Sequence, residues 1–440
     1  MLATLSVENF KALHDLKIGN LRKLSVFIGK NNSGKSSILQ SIALLAQSVD
    51  RDIQYKGRMV DLGSFEDTVF WHDNRRQMRI EISFRIPEEE RFMVMLKHGR
   101  EPIILHGDIA VAFQIGAGGI FRQEVKHKGE HIHCVFERVL LDQPRRMEEK
   151  ATLNGTTVAR AGENVTRLLQ WSLADVSDRE VDLTTKVPLQ EKIDITNELL
   201  RIVKSRLNTL YYFSTMRAIK DWAQQLAEVE SFGTTGQNAI SMLHHIYSNS
   251  PRKFSRIAKW IDKMGLGTIF STTRGPYSSI LLEDPTIGAR SNVVSSGFGV
   301  NQLIPVIGEC VASPPESVIM IEEPEISLHP GAIGVLVDLF LETITDKKQI
   351  MLSTHSDRLI LELWSRVKLG LLHKTDVALY LVEKTAEGAT VKEIELSGRR
   401  EEIQGEIRVL YEPRSPLDDL LSVADKSGDK DLSKKDLSEL

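Results

Sequence analysis

The chain has 440 residues and a formal net charge of −4 at pH 7, with 41% hydrophobic and 26% charged residues. This composition excludes a collagen, an intrinsically disordered chain and a disulfide scaffold. Because Lys and Arg number 56 against 60 for Asp and Glu, contact with nucleic acid would need a local basic patch. Only two cysteines and a charged N-terminal segment predict a protein of the cytoplasm. Its apolar runs are far shorter than the roughly 20 residues that span a bilayer, so we expect no membrane partner.

The first 48 residues predict two strands, a glycine-rich turn and a helix. Apolar residues alternate with polar ones over Leu2–Phe10, and the short apolar run Leu24–Ile28 precedes the turn. From Lys35 to about Ser48, apolar residues recur at the spacing of one helix face. We therefore predict a strand, loop and helix unit whose helix packs against a sheet.

The turn at residues 29–36 reads GKNNSGKS and matches the pattern G-x-x-x-x-G-K-[ST] between a strand and a helix. In this pattern, backbone N–H groups surround phosphates, and Lys35 would add a positive charge beside the β- and γ-oxygens. The hydroxyl of Ser36 would ligate Mg²⁺. A chance glycine turn is the alternative, and the predicted function is nucleotide binding. The residues expected to bind the nucleotide are Gly29, Asn31, Asn32, Ser33, Gly34, Lys35, Ser36 and Ser37.

The middle of the chain divides into segments of different composition. Several β-rich runs between about residues 77 and 141 predict an antiparallel sheet. Residues 142–208 are polar and mostly helical in composition, and β/α alternation typical of a parallel sheet returns after about Ser278. The predicted units are an N-terminal lobe (1–141), a mainly helical insertion (142–277), a C-terminal lobe (278–385), a C-terminal extension (386–424) and a disordered tail (425–440).

Two acidic residues follow an apolar strand in the second half of the chain. Residues 318–321 read VIMI and lead directly into Glu322 and Glu323. Carboxylates at a strand tip can hold Mg²⁺ and polarise water, so we expect Glu322 to serve the metal through water and Glu323 to act as general base. Without the phosphate loop, the same pair would equally suit the solvated start of a surface loop.

A histidine, His355, follows another apolar run, QIMLST at residues 349–354. A lone histidine at a strand end is usually structural, but the order of phosphate loop, acidic strand and histidine strand resembles ATP-binding-cassette (ABC) ATPases. In that family the histidine contacts the γ-phosphate. Between them, residues 292–302 (NVVSSGFGVNQ) look like a divergent signature motif that opens a helix. The resemblance implies that Ser295, Ser296 and Gly297 face the nucleotide of a second subunit.

Further motifs sharpen this resemblance. The N-terminal segment is similar to those of RecF, structural-maintenance-of-chromosomes (SMC) and overcoming-lysogenization-defect (OLD) ATPases. Residues 61–67 (DLGSFED), 212–218 (YFSTMRA) and 295–307 resemble motifs of AAA-15/AAA-21 and DUF3696-type bacterial ATPases. Over roughly residues 1–385, the resemblance implies an α/β ABC-type ATPase head, with a mixed parallel sheet, an antiparallel β subdomain and a helical insertion. It makes Arg217 a candidate site residue; the alternative is an arginine in a surface ion pair.

The sequence also departs from the ABC pattern. Glu322 stands where Asp is usual, the signature is not L-S-G-G-Q, and a Q-loop glutamine is not identifiable. About 55 residues follow Glu383, too few for the TOPRIM nuclease domain of OLD proteins. The resemblance therefore implies an ATPase that binds ATP and Mg²⁺, dimerises around ATP and switches on hydrolysis. We expect it to control a separate effector protein in bacterial anti-phage defence.

Two other functions remain open on the sequence. The first is a DNA-binding repair ATPase similar to RecF, in which Arg252, Lys253, Arg256 and Lys259 would line a helix face toward nucleic acid. A solvated helix face is the simpler interpretation of that pattern. The second is the nucleotide-binding subunit of a transporter, which the long insertion and the divergent signature disfavour.

Overall fold

A computed structural model of the chain describes residues 1–49, 52–87, 92–94, 102–140, 147–161 and 189–411. Strands and α-helices are numbered separately below, in chain order. The strands are β1 (Leu2–Phe10), β2 (Leu13–Ile18), β3 (Leu24–Ile28), β4 (Met78–Ile86), β5 (Phe92–Val94), β6 (Ile103–Leu105), β7 (Gly107–Gly116), β8 (Gly119–His127), β9 (Ile132–Leu140), β10 (Met147–Leu153), β11 (Thr156–Ala161), β12 (Leu210–Phe213), β13 (Gln224–Gln225), β14 (Thr268–Arg274), β15 (Tyr277–Glu283), β16 (Arg290–Asn292), β17 (Val318–Glu322), β18 (Gln349–Thr354), β19 (Val377–Thr385) and β20 (Gly388–Ile394). The helices are α1 (Lys35–Gln47), α2 (Phe65–Thr68), α3 (Leu189–Asn208), α4 (Ala239–Asn249), α5 (Pro251–Lys263), α6 (Phe298–Ala312), α7 (Pro330–Thr345), α8 (Asp357–Lys368) and α9 (Arg400–Tyr411).

An antiparallel sheet of eight strands, in the order β11-β10-β9-β8-β7-β4-β1-β2, is built from the first part of the chain. Leu13, Leu16 and Ile18 of β2 are buried while the residues between them are exposed, as expected for a strand with one face on the core. The sequence analysis did not identify β2. Two residues join it to β1, and Lys11 there takes the left-handed conformation (φ 49°) that such a tight hairpin requires.

Two strands also lie where the composition indicated mostly helix. β10 and β11 form a hairpin that extends the eight-stranded sheet beyond β9. Its turn is Asn154-Gly155, and both residues have positive φ (50° and 86°). Asn-Gly is a strong local hairpin signal and outweighs the polar composition of this segment. The helix expected near residue 195 is present as α3, but β13 and β14 further interrupt the predicted helical insertion.

The second large sheet has six strands in the order β12-β17-β18-β3-β19-β20. All pairs are parallel except that of β19 and β20. Every residue of β3, β17 and β18 is buried, which is the pattern of parallel strands covered on both faces. The predicted α/β fold, with a mixed parallel sheet and an antiparallel β subdomain, is confirmed. Because β3 lies between β18 and β19, strands from the N-terminal and C-terminal parts of the first 394 residues form one sheet.

Helices join these layers. α1 contacts β1 of the first sheet and β12 and β18 of the second, and α3 packs beside α1. Ile38, Ile42 and Leu45 of α1 are buried, as their helical spacing predicted. α7 packs against β18, and α6 packs against α5 and α7. The remaining strands form two smaller sheets. One contains β13 to β16, and the other contains β5 and β6.

Residues 1–397 form one compact unit and residues 398–440 another, in which the structure describes α9. The predicted disordered tail, residues 425–440, lies outside the described residues. No helix within the described ranges is both long and apolar enough to cross a membrane.

Candidate nucleotide-binding and catalytic site

The carboxyl ends of three neighbouring parallel strands define the site. In register, Ile28 of β3 pairs with Thr354 of β18, and Glu322 of β17 pairs with Ser353 of β18. Residues that directly follow these strands must therefore meet at one edge of the sheet. That edge of an open α/β sheet is the usual place for ligands. The phosphate loop, residues 29–36, leaves this edge after β3.

Glycines at two positions give the phosphate loop its shape. Gly34 has φ 110°, which only glycine adopts readily, and a Cβ there would lie 2.9 Å from the Cβ of Ala389. At Gly29 a Cβ would lie 2.2 Å from the carbonyl oxygen of Val382. The loop is therefore held against β19 and the start of β20. α1 begins directly at Lys35, and Gly34 offers no side-chain cap to its first N–H groups. Those donors are available to an anion.

The loop side chains fit a bound nucleotide. The hydroxyl of Ser33 is buried and has no hydrogen-bond partner among the described residues, so a phosphate oxygen could satisfy it. Asn31 and Asn32 are exposed, whereas Ser36 is half-buried and Ser37 buried within the first turn of α1. A serine hydroxyl together with the carboxylate of Glu322 is a set of hard oxygen donors, which suits Mg²⁺.

Lys35 is buried, with 5% of its surface exposed. Its Nζ donates to the carbonyl oxygens of Gly29 and Lys30, both at 2.9 Å, and lies 3.2 Å from Nε2 of His355. Burial lowers the pKa of Lys35 to about 8, and Glu323 is the strongest of the carboxylates that oppose this shift. The ammonium group thus already lies inside the loop, where it donates to two neutral carbonyl oxygens. A charged phosphate is a stronger acceptor and can replace them.

Glu323 and His355 contact each other beside Lys35. Oε1 of Glu323 lies 3.1 Å from Nε2 of His355, and its Oε2 accepts from the backbone N–H of His355 at 3.2 Å. Burial, followed by repulsion from Glu325, raises the pKa of Glu323 to about 8, while burial and Lys35 lower the pKa of His355. Without a nearby cation both directions favour neutral side chains, whereas Mg²⁺ bound beside Glu322 would lower the pKa of Glu323 and favour the carboxylate that a general base needs. The structure brings together all three predicted catalytic residues.

Glu322 is held by two hydroxyl groups that the sequence analysis did not assign to the site. The Oη of Tyr212 donates to Glu322 Oε1 at 2.7 Å, and the Oγ1 of Thr215 donates to Oε2 at 3.0 Å. Glu322 is 6% exposed, and burial raises the pKa of Tyr212. Both hydroxyls lie more than 100 residues before their acceptor, so only the resemblance of residues 212–218 to a family motif hinted at them.

Arg217 in the same motif is 1% exposed, so the alternative of a surface ion pair is wrong. Glu325 also faces this region: Thr354 Oγ1 donates to its Oε1, and burial raises the pKa of Glu325. The segment after β17 therefore turns inward. Its left-handed residue at Glu323 (φ 45°) brings the carboxylate back over the sheet edge.

The signature residues make local contacts within the chain. A short 3-10 helix covers Val293–Ser295, and Gly297 precedes the first residue of α6. Ser295 Oγ donates to Asn292 O at 2.7 Å, and the carbonyl of Ser296 accepts from Asn301 Nδ2 at 3.3 Å. Ser295 and Gly297 are exposed. A role toward the nucleotide of a second subunit stays a prediction.

Two of the four basic residues proposed to face nucleic acid are engaged within the protein. Arg256 Nη2 contacts Glu342 at 2.6 Å and Asp346 at 2.7 Å. Lys253 Nζ donates to the carbonyl oxygen of Ala312 at 2.7 Å. These contacts join α5 to α6 and α7. They favour a structural interpretation of this helix face over a nucleic-acid interface.

A family model and a curated relative each match part of the chain. The family model described as AAA ATPase domain matches residues 1–221 and 145–360. The curated, uncharacterized protein MJECL10 of Methanocaldococcus jannaschii is 43% identical over 44 residues, which are 10% of this chain and 20% of that protein. The chain thus spans about a fifth of the length of this relative.

Solved SMC head domains show a distant structural likeness. One is the SmcHead bound to the C-winged helix domain of ScpA. The match covers 90% of this chain and 98% of that head domain, with TM-score 0.48 and 11% identity. The SMC head of Thermotoga maritima has TM-score 0.40 and 12% identity, covering 90% and 99%. A head domain with an extended coiled coil, bound to ScpA derived from Pyrococcus furiosus, has TM-score 0.47 and 12% identity, covering 92% and 99%.

Proposed function

The chain belongs to the AAA ATPase domain family, and on that premise we propose that it binds ATP with Mg²⁺ and hydrolyses it with Glu323 as general base. The observation that carries this proposal is the meeting of Lys35, His355 and Glu323 at the end of the phosphate loop, with contacts of 3.1 and 3.2 Å. A phosphate-binding lysine, a base and a group that can orient the base are the parts that phosphoryl transfer to water needs.

In this proposal Lys35 leaves the carbonyls of Gly29 and Lys30 and contacts the β- and γ-phosphates. Mg²⁺, when bound near Ser36 and Glu322, would neutralise charge on the same phosphates. Glu323 takes a proton from the attacking water, and His355 holds the carboxylate of Glu323 in place while contacting the γ-phosphate. General-base action of this kind contributes about 10²- to 10⁴-fold in rate.

We also propose a dimer in which a second subunit covers the nucleotide. Ser295, Ser296 and Gly297 would supply that cover, and their position just before the N-terminus of a 15-residue helix, α6, supports this because such an end favours an anion. Phe298 beside them is 58% exposed. Hydrolysis would then release the two subunits and make the dimer a nucleotide-driven switch.

The biological role is a further part of the proposal. We propose that residues 1–141 and 278–385 act as two halves of one ATPase head, which the position of β3 between β18 and β19 supports. The switch would control a separate effector protein in bacterial anti-phage defence, in the cytoplasm. The support for this role is the similarity of the motifs to bacterial ATPases of that kind.

The test measures ATP hydrolysis and particle mass on the same samples. Glu323→Gln should bind ATP, hydrolyse it at least about 100-fold more slowly and accumulate as a dimer. Lys35→Ala should lose both ATP binding and dimerisation. Lys30→Ala is the matched control, because Lys30 is an exposed lysine of the same loop. Hydrolysis at the parent rate by Glu323→Gln, with a mass that ATP does not change, would contradict both the base and the dimer.

A further inference from the structure

The guanidinium group of Arg217 is buried in the protein and bonded to backbone carbonyl groups. Its Nη1 donates to Glu322 O at 2.6 Å and to Ser214 O at 2.8 Å. Its Nη2 donates to Glu323 O at 2.9 Å, and its Nε donates to Gln302 O at 3.2 Å. All three nitrogens of the guanidinium therefore donate hydrogen bonds.

These acceptors lie on three separate elements. Ser214 follows β12, Glu322 and Glu323 lie at the end of β17, and Gln302 is the fifth residue of α6. Gln302 is five residues after Gly297, so it is about 7.5 Å along the helix from the signature. Arg217 thus connects the helix that carries the signature to the backbone of both acidic residues.

The chemistry of this contact requires arginine. A planar guanidinium has five N–H donors in a fixed arrangement, whereas a lysine ammonium is a single point with three rotatable donors. Burying a cation costs free energy that only good hydrogen bonds offset. Burial lowers the pKa of Arg217 to about 10, which leaves the side chain charged at neutral pH. A cation retained at this cost, with every donor atom used, fixes its acceptors relative to one another.

Neighbouring residues hold the same segment in place. Thr215 and Tyr212 bond the carboxylate of Glu322, while Ser214 N donates to Thr234 O at 3.1 Å and Ala218 N donates to Thr235 O at 2.9 Å. The segment is therefore anchored on both sides of Arg217. One buried side chain therefore bonds both the start of α6 and the end of β17.

We propose that Arg217 is a positioning residue that couples the first turns of α6 to the backbone of Glu322 and Glu323, so that engagement of the signature aligns the base. This inference rests on the proposed ATPase function. It assigns Arg217 no contact with ATP or water. This role explains why a charged side chain is buried between the residues after β12, the end of β17 and the start of α6.

The test compares Arg217→Lys with Arg22→Lys. Arg22 is a matched control, because its Nη1 also donates to two backbone carbonyls, those of Lys374 and Val377, both at 2.7 Å. Arg217→Lys should lower kcat about 10- to 100-fold while the Kd for ATP changes less than threefold. Arg22→Lys should leave both constants unchanged.

A double-mutant cycle separates positioning from a merely structural role. Glu323→Asp shortens the base, and its rate penalty is measured in the parent and in Arg217→Lys. If Arg217 acts through Glu323, the penalty is at least threefold smaller in the second background, where alignment is already lost. Additive penalties, or a loss of ATP affinity as large as the loss of kcat, would overturn the proposal. Failure of the proposed function itself is distinguishable, because Glu323→Gln alone would then hydrolyse ATP normally.

Should Arg217→Lys not fold, hydrogen exchange on the parent protein gives the second measurement. The amide of Glu323, which donates to Ser353 O at 2.8 Å, and the amides of the first turns of α6 report the two coupled elements. ATP should change their protection together, with the same dependence on concentration. Independent responses would contradict the coupling.

Discussion

Nε2 of His355 lies 3.1 Å from Oε1 of Glu323, although 32 residues separate them in the sequence. The contact follows from topology: β17 and β18 are adjacent parallel strands, and the residue after each one emerges at the same edge of the sheet. The backbone N–H of His355 also donates to Glu323. The carboxylate is thus held by both the side chain and the main chain of one residue, and the two kinds of contact can be separated by mutation.

His355→Ala should lower kcat about 10- to 100-fold with little change in ATP affinity. The substitution removes the imidazole that orients Glu323 but keeps the backbone N–H bond to its Oε2. Steady-state hydrolysis and equilibrium ATP binding measure the two effects. His373→Ala, an exposed histidine away from the site, is the control. Equal hydrolysis by His355→Ala and the parent would show that the imidazole has no part in the reaction.

Tyr212→Phe should raise the Mg²⁺ concentration needed for half-maximal hydrolysis about 10-fold. The variant removes one of the two hydroxyls that hold Glu322, and loss of such an outer contact usually costs 10- to 100-fold in metal affinity or activity. The measurement is the hydrolysis rate over a Mg²⁺ titration. Tyr211→Phe, one residue earlier in the same strand, should leave the titration unchanged. An identical Mg²⁺ dependence in all three proteins would remove Glu322 from the metal site.

Gly308→Ala should destabilise the protein by about 1–3 kcal/mol. A Cβ at this position would lie 2.1 Å from Cζ of Phe232, so the buried Phe232 ring or α6 must shift. This cost opposes the gain of about 1 kcal/mol that alanine usually brings to a helix interior. Urea unfolding measures the difference. Gly19→Ala is the control, since a Cβ there meets no atom within 4 Å. Equal midpoints for the two variants would mean that the helix adjusts without cost.

Glu309→Gln should remove part of the pH dependence of stability. Burial raises the pKa of Glu309 from 4.5 to about 7, so between these values the folded protein binds a proton that the unfolded chain does not. The free energy of unfolding therefore falls as pH rises, by about 2 kcal/mol between pH 5.5 and 8 from this group. Glutamine cannot titrate, yet it can still accept from the N–H of Phe232, as Glu309 does at 3.1 Å.

Urea unfolding of the parent and of Glu309→Gln at both pH values tests this expectation. All other groups contribute equally to the two proteins, so the difference between their pH slopes isolates Glu309. We expect the variant to gain stability relative to the parent as pH rises. Parallel pH profiles would show that Glu309 titrates at its ordinary pKa in the folded protein.

The parts of the site that follow strand ends could be predicted from the sequence. Lys35, Glu323 and His355 each come directly after a short apolar run or its loop, and parallel strands align such positions without any further information. The same periodicity located β1 and β3 with correct bounds. Apolar periodicity did not predict β2 or β10, because the turn residues beside these strands, and not an apolar pattern, determine the structure there.

Pairings across long separations could not be predicted. Apart from the family motif at residues 212–218, nothing in the sequence indicates that two hydroxyls and a guanidinium converge on Glu322 and Glu323, because burial of polar groups depends on partners that only the fold supplies. Arg217 has the charge of a surface residue and the burial of a core residue. The roles of Ser295, Ser296 and Gly297 stay predictions, since they concern a second subunit.

The central position of β3 has a consequence for biosynthesis. Its two neighbours, β18 and β19, begin at residues 349 and 377, whereas β3 ends at residue 28. At about 5–20 residues per second, a ribosome needs roughly 20–70 s to make the chain between β3 and β19. Both edges of the strand before the phosphate loop stay unpaired until β18 is made, and one stays unpaired until β19 is made. Unpaired edges are sites for aggregation or for capture by chaperones. Because His355 follows β18, the phosphate loop, Glu323 and His355 can meet only after residue 355 has been synthesised.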